Sequence, residues 1–403
     1  MKKLWNKDFI LMLQGNAVSA FGDILYSVAI GYWVYEKTGS STLMGIMSSI
    51  SMFVVMFISP FSGTIVDKCN RKIVVVGMDI LRGLIMLIVG ILAIMNHLSV
   101  PIVLIAAFLA SLCSVFFNPA VNTLMIDIIP HDDMVRGQSI SSSVNSLINL
   151  IGKAMSGALV VFLGVPLIII FNGISYLFSA FTEMFIHVPK TKRQGEKVTV
   201  TGILNDFKIA IRAIFSNRFL RLFIPSALLL NLLGSGPMTL LMPFVLEKGF
   251  TVEMYGFLMA IETAASLICV CILGIVKLNP KIRYYGMSIG FISSVLFYIW
   301  AYLSKDFSLL CILSFIGCFG NTIGNAVFNA SLMLALPEES RGSILGFVSS
   351  ASTGGSALSS VIFGLLCDAY PIYLVFVIGN VLSLAPMIYL CLHRDTKEFV
   401  LSN

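Results

Sequence analysis

Residues 42–95 read TLMGIMSSISMFVVMFISPFSGTIVDKCNRKIVVVGMDILRGLIMLIVGILAIM, and this stretch decides the fold. Two apolar runs, 42–66 and 73–95, flank a short basic segment, Asp67-Lys68-Cys69-Asn70-Arg71-Lys72. A helix of ~20 apolar residues crosses the ~30 Å hydrocarbon core of a bilayer. Each run is long enough, and the segment between them leaves room only for a reversal. The chain crosses a membrane, turns, and crosses back.

The same reading extends in both directions. Further apolar runs fall at 9–35, 100–127, 138–164 and 166–187, then at 219–246, 252–276, 284–303, 307–335, 343–366 and 371–392. The 403 residues are 58% apolar and 11% charged, with a mean hydropathy of +0.95. A soluble domain carries ~25% charged residues, so a polytopic membrane protein is the only class that fits. The expected fold is all-α: twelve transmembrane helices in two six-helix halves, 1–187 and 219–403, joined by a linker at 188–218.

Lys and Arg set the orientation, since cytoplasmic loops carry the excess. With the N-terminus inside, 21 of the 26 cations fall on the inner side and three on the outer; Arg82 and Lys153 lie within spans. Both termini and the linker are expected in the cytoplasm, at the plasma membrane. In the linker, Ile203, Leu204, Phe207, Ile211, Ile214 and Phe215 recur at helical spacing opposite Asp206, Lys208 and Arg212, a pattern for an amphipathic helix on the inner leaflet. The first run exceeds a signal-peptide core and lacks a small-x-small cleavage site, so it is read as the first span.

Other functional classes lack their chemistry. The net charge of +6 follows from the inner loops and forms no basic stripe for nucleic acid. The eight cysteines form no CxxC pair. His97, His131, His187 and His393 sit in loops or at span ends, and the chain has no HExxH, Gly-x-Ser-x-Gly or Walker A segment. No enzyme, metal site or cofactor is expected. The expected partners are a small-molecule substrate, protons and the lipid bilayer, with the chain acting as a monomer.

The halves echo each other. Val115-Phe116-Phe117-Asn118-Pro119-Ala120 in span 4 matches Ala326-Val327-Phe328-Asn329-Ala330-Ser331 in span 10. Pro130 before Arg136-Gly137 matches Pro337 before Arg341-Gly342. Repeated halves around a midplane site are a common plan of secondary transporters.

The loop after span 2, Gly63-x-x-x-Asp67-Lys68-x-x-Arg71-Lys72, closely resembles the G-x-x-x-D-[RK]-x-x-R-[RK] signature of the major facilitator superfamily. Gly63 is expected to admit a neighbouring helix. Asp67 is expected to face the positive N-terminal end of a helix such as span 11, near Arg341. Arg71 and Lys72 supply inner-side charge that carboxylates can meet. Within the superfamily the chain is similar to macrolide-efflux and enterobactin-exporter permeases. Glu36-Lys37-Thr38-Gly39-Ser40, Asp79-x-x-Arg82, Asn118-Pro119-Ala120 and the segment 206–221 carry that likeness. It implies export by alternating access, driven by an ion gradient, usually of protons. The chain departs from proton-coupled relatives twice: Ala110 stands where they often carry an Arg, and Lys153 where they carry a Pro.

Ionisable groups inside spans are costly and mark function by default. Asp23 lies ~21 Å into span 1, and Lys153 and Glu262 lie at comparable depth in spans 5 and 8. Asp23 and Lys153 are expected to pair, either as a proton-coupling pair or as a structural salt bridge. Glu262 is a candidate for a cationic substrate, a second proton or a silent protonated group. Asp79 and Arg82, three apart on one face, are assigned to the inner gate with the loop signature. Glu183 is read as snorkelling to the surface. Asn118, Asn122, Asn231, Asn321, Asn325 and Asn329 are candidates for a polar cavity, the last three forming one stripe of span 10. The sum is a secondary transporter exporting small amphipathic molecules, with an uptake symporter or lipid flippase of the same fold as the alternative.

Overall fold

The computed structural model describes residues 4–187, 218–276, 279–335 and 341–402. Asparagines start several of the helices. The Asn6 side chain accepts the backbone N–H of Phe9 at 2.8 Å and starts α1 (Lys7–Thr38), which ends at Gly39 in the left-handed region. Asn70 does the same for α3 (Arg71–Ile94), which follows α2 (Ser41–Lys68). Then come α4 (Val100–Ile128), α5 (Met134–Leu163) and α6 (Val165–Glu183). After the linker follow α7 (Arg218–Thr239), α8 (Leu241–Glu247), α9 (Val252–Ile275) and α10 (Pro280–Leu303), capped by Asn279. The rest is α11 (Phe307–Ala335), α12 (Arg341–Ala369), α13 (Ile372–Leu392) and α14 (Arg394–Ser402).

Twelve of these helices are long and apolar enough to span a bilayer. The expected seventh span is broken into α7 and α8 at Leu240. A proline ring excludes the carbonyl four residues before it, and Pro243 therefore acts at Thr239, where α7 stops. The short α14 was not expected. It is exposed along one side, where Arg394 Nε donates to Glu398 Oε1 at 2.6 Å, while Thr396 is buried on the other. The expected amphipathic helix at 203–215 lies outside the described residues.

The chain forms two compact units. One holds α1, α2 from Ile50 onward, α3–α6 and Val252–Phe257; the other holds Ser40–Ser49, α7, α8, α9 from Leu258 onward and α10–α14. The units therefore differ from the expected halves by two short exchanged segments. In the second unit the Asp368 carboxylate accepts the Ser40 hydroxyl at 2.7 Å and the Ser41 and Thr42 backbone N–H groups at 2.6 and 3.2 Å. An anion is stabilised at a helix N-terminus, so Asp368 holds the start of α2. Ser49 Oγ adds a bond to the Ala357 carbonyl at 2.7 Å.

The internal repeat is visible in the pairing. In the first unit α6 packs on α1 and α3, α4 on α3, and α5 on α1; in the second, α13 packs on α7 and α10, α11 on α10, and α12 on α7. The α10–α11 contact is close at Gly290, where a Cβ would stand 2.6 Å from the Gly320 carbonyl oxygen. Small residues permit such approaches in membranes, where dispersion contacts rather than water exclusion bring helices together. Between α8 and α9, Lys248 Nζ donates to the carbonyl oxygens of Tyr302, at 2.7 Å, and Ser304. Burial lowers its pKa below the ordinary lysine value.

Candidate functional site

The first unit contains a buried charged cluster built from three helices. On α6, Asn172, Tyr176, Ser179 and Glu183 follow one face by helical spacing. On α3, Asp79 and Arg82 stand three apart and form a salt bridge. On α1, Asp23 follows Gly22, where the helices touch: a Cβ on Gly22 would lie 2.6 Å from Asn172 Oδ1 and 3.3 Å from its Cα. That approach brings Asp23 within reach of α6. Its Oδ1 accepts the Tyr176 hydroxyl and, at 3.3 Å, the Asn172 amide.

Arg82 is the cation of the cluster. Its guanidinium carbon lies 4.1 Å from the ring centroid of Phe117 and 4.4 Å from that of Tyr176, so two aromatic faces hold it. Its charge acts on Asp23, Asp79 and Glu183 together. Glu183 accepts the Ser179 hydroxyl at 3.3 Å. Asp79 and Glu183 are wholly buried, Arg82 nearly so, and Asp23 half-buried. One carboxylate oxygen on each of Asp79 and Glu183, the Tyr26 hydroxyl and Arg82 Nε have no hydrogen-bond partner among the described residues.

Three expectations change here. Asp23 turns to Asn172 and Tyr176 of α6, while Ile24 is the residue that lies against Gly152 of α5. The Lys153 carbonyl instead lies against Gly256 of the exchanged Val252–Phe257 segment. Asp79 and Arg82 belong with Asp23, about 12–16 Å along α3 from the loop end by helical rise. Glu183 does not snorkel: its side chain faces α3, fully enclosed.

The loop signature holds a separate contact. Arg71 pairs with Asp127 at the end of α4, both side chains buried. A Cβ at Gly63 would meet nothing within 4 Å among the described residues. Lys72 is partly exposed. The side chains of Asp67, Lys68 and Arg341 lie outside the described set.

The second unit holds a cavity of about 560 Å³. Asn231 of α7, Asn321, Asn325 and Asn329 of α11 and Asn380 of α13 line it, with Phe223, Phe291, Phe328 and Tyr298 as its aromatic wall. The span 10 stripe thus faces a cavity. Asn231, Asn325 and Asn380 each give one amide N–H to the carbonyl four residues earlier, at 2.9, 3.0 and 2.9 Å. Asn380 and Ser383 were not foreseen, although an Asn and a Ser three apart in an apolar span were a signal for them. Glu262 is not in the lining. Two lining residues donate to it, the Tyr298 hydroxyl to Oε1 at 3.4 Å and the Cys318 thiol to its backbone carbonyl at 3.2 Å. Asn118 and Asn122 are exposed on α4.

Comparison with known proteins agrees with this architecture. The Major Facilitator Superfamily profile matches residues 12–356 and 249–401. Macrolide efflux protein A of Streptococcus pyogenes is 24% identical over 186 residues, 46% of each chain, so the chain spans about half the length of that relative. The staphylopine export protein of Staphylococcus aureus (strain Mu50 / ATCC 700699) is 21% identical over 389 residues, 90% of each. Among solved structures, the nucleoside transporter NupG shares the fold with a TM-score of 0.72 at 13% identity, covering 94% of this chain and 98% of that one. Twelve spans, a repeated helix pairing and a profile match over most of the sequence converge: the chain belongs to the major facilitator superfamily.

Proposed function

We propose that the chain is a proton-coupled exporter of small amphipathic molecules, working by alternating access in the plasma membrane with both termini in the cytoplasm. It is a multi-pass transporter of its family; direction, coupling and substrate are the proposal. The observation that carries it is the ratio of charges in the first unit. Three carboxylates share one guanidinium: Asp79 pairs with Arg82 directly, Asp23 and Glu183 feel its charge without a direct bond, and two of the three are sealed from solvent. Fully ionised, the cluster would hold two uncompensated negative charges, at least one of them fully buried at a cost of ~3–5 kcal/mol. Protonation removes that cost, so the cluster is built to hold protons. Asp23, the half-buried member, is where they enter and leave, and Arg82 is the fixed cation against which the carboxylates titrate. Export-type names among the relatives support the outward direction.

The test is transport of an amphipathic substrate panel into inverted vesicles under an imposed proton gradient. Wild type is expected to accumulate substrate, Asp23→Asn to lose gradient-driven accumulation at least ~10-fold, and Lys153→Ala to retain it. Normal accumulation by Asp23→Asn would remove the cluster from coupling. Accumulation that follows the gradient in the opposite sense would make the chain an uptake symporter.

A further inference from the structure

The cavity of the second unit is set apart by the chemistry of its lining. No Asp, Glu, Lys, Arg or His borders it among the described residues, in a chain with 46 such acidic and basic side chains besides its histidines. Its polar groups are neutral carboxamides and hydroxyls, on α7, α9, α10, α11, α12 and α13. Asn231, Asn325 and Asn380 each give one N–H to the backbone, Asn325 gives another to Asn321 Oδ1, and Asn231 Oδ1 accepts the Ser356 hydroxyl at 3.3 Å. A carboxamide offers two N–H donors and an oxygen with two lone pairs, so hydrogen-bonding capacity remains for a ligand. The Phe223 and Phe328 rings stack at 4.4 Å to form an apolar floor.

We propose that this cavity binds uncharged amphipathic molecules, with an apolar ring system for the aromatic wall and several hydroxyl, carbonyl or amide groups for the asparagines. This rests on the transporter reading above and deepens it, from small amphipathic molecules to uncharged ones. The physical reason is solvation. A ligand hydroxyl or amide exchanges water for a carboxamide at little cost, whereas a fixed charge loses its hydration and meets no counter-charge. Glu262 is outside the lining, and its Oε1 accepts the Tyr298 hydroxyl at 3.4 Å. The volume, about 560 Å³, lies within the usual range for drug-sized ligands.

The test is equilibrium dialysis of the purified full chain in lipid nanodiscs against paired probes that share a ring system and differ in charge. One pair is 4-methylumbelliferyl glucoside, uncharged, and the corresponding glucuronide, an anion. The other is N-acetyl-1-naphthylmethylamine, uncharged, and 1-naphthylmethylamine, a cation. The uncharged member of each pair is expected to bind at least ~10-fold more tightly. Asn325→Leu is expected to weaken uncharged binding, and Asn325→Asp to raise affinity for the naphthylmethyl cation, a gain that a misfolded variant would not show. Equal binding within both pairs, no binding by either uncharged probe, or an Asn325→Asp variant with unchanged charge preference would overturn the proposal. Dialysis uses no proton gradient, so failure here leaves the coupling reading standing, and failure of coupling leaves the cavity assignment standing.

Discussion

Helices α6 and α13 occupy the same place in the two units, yet they carry opposite chemistry. Asn172 and Ser175 of α6 correspond, 208 residues on, to Asn380 and Ser383 of α13. Further along the same face the correspondence holds in position only. Ser179 and Glu183 of α6 become Met387 and Cys391, which pack with Val295 in an apolar cluster. The first unit uses the stripe to enclose a carboxylate against Arg82; the second uses it to border a charge-free cavity and then close with hydrocarbon. The repeated scaffold thus carries a charged cluster in one unit and a cavity lined by neutral groups in the other.

This contrast breaks most severely at Arg82. Arg82→Met leaves three carboxylates without their cation and is expected to cost ~3–5 kcal/mol of stability, read as a large fall in the unfolding temperature of the purified protein. Adding Asp79→Asn to that variant should recover a measurable part, because the two residues act as one unit. Next comes the converse operation on α13. Cys391→Glu places the α6 carboxylate at the equivalent, fully buried site, and a loss of ~3 kcal/mol is expected; Cys391→Val should change little. Glu183→Gln has the smallest effect and the opposite sign. It replaces a carboxyl that must take up a proton to stay buried with a neutral amide and keeps an acceptor for Ser179, so stability is expected to rise by about 1 kcal/mol. A destabilisation as large as that of Arg82→Met would mean that Glu183 is a structural counter-ion and not a surplus charge.

Much of the fold was legible because bilayer thickness converts an apolar run directly into a span. The twelve spans and the repeat follow from length, hydropathy and short echoes such as Asn118 and Asn329. The break at Leu240 was also written in the sequence, at Pro243, but apolarity alone runs across it. The site was half legible. An ionisable residue in a span announces its depth, so Asp23 and Glu262 stood out, but depth says nothing of the direction a side chain takes around the helix. Asp23 and Lys153 share a level on packed helices, and it is Ile24 that faces α5. The stripe Asn172, Tyr176, Ser179 and Glu183 was readable by its spacing, yet Glu183 near a helix end has the same sequence signature as a snorkelling side chain. Arg71 and Asp127, 56 residues apart, meet only because α3 and α4 pack, which no local pattern records.

The central claim is that the first unit holds protons on carboxyl groups that outnumber their cation. Difference infrared spectroscopy of the purified protein in nanodiscs at neutral pH tests this directly, because a protonated carboxyl has a C=O stretch distinct from that of a carboxylate. The account predicts a protonated-carboxyl band in wild type that diminishes in Asp79→Asn or Glu183→Gln and responds to external pH only while Asp23 is present. A spectrum with no such band, or one left unchanged by all three substitutions at Asp23, Asp79 and Glu183, would contradict it.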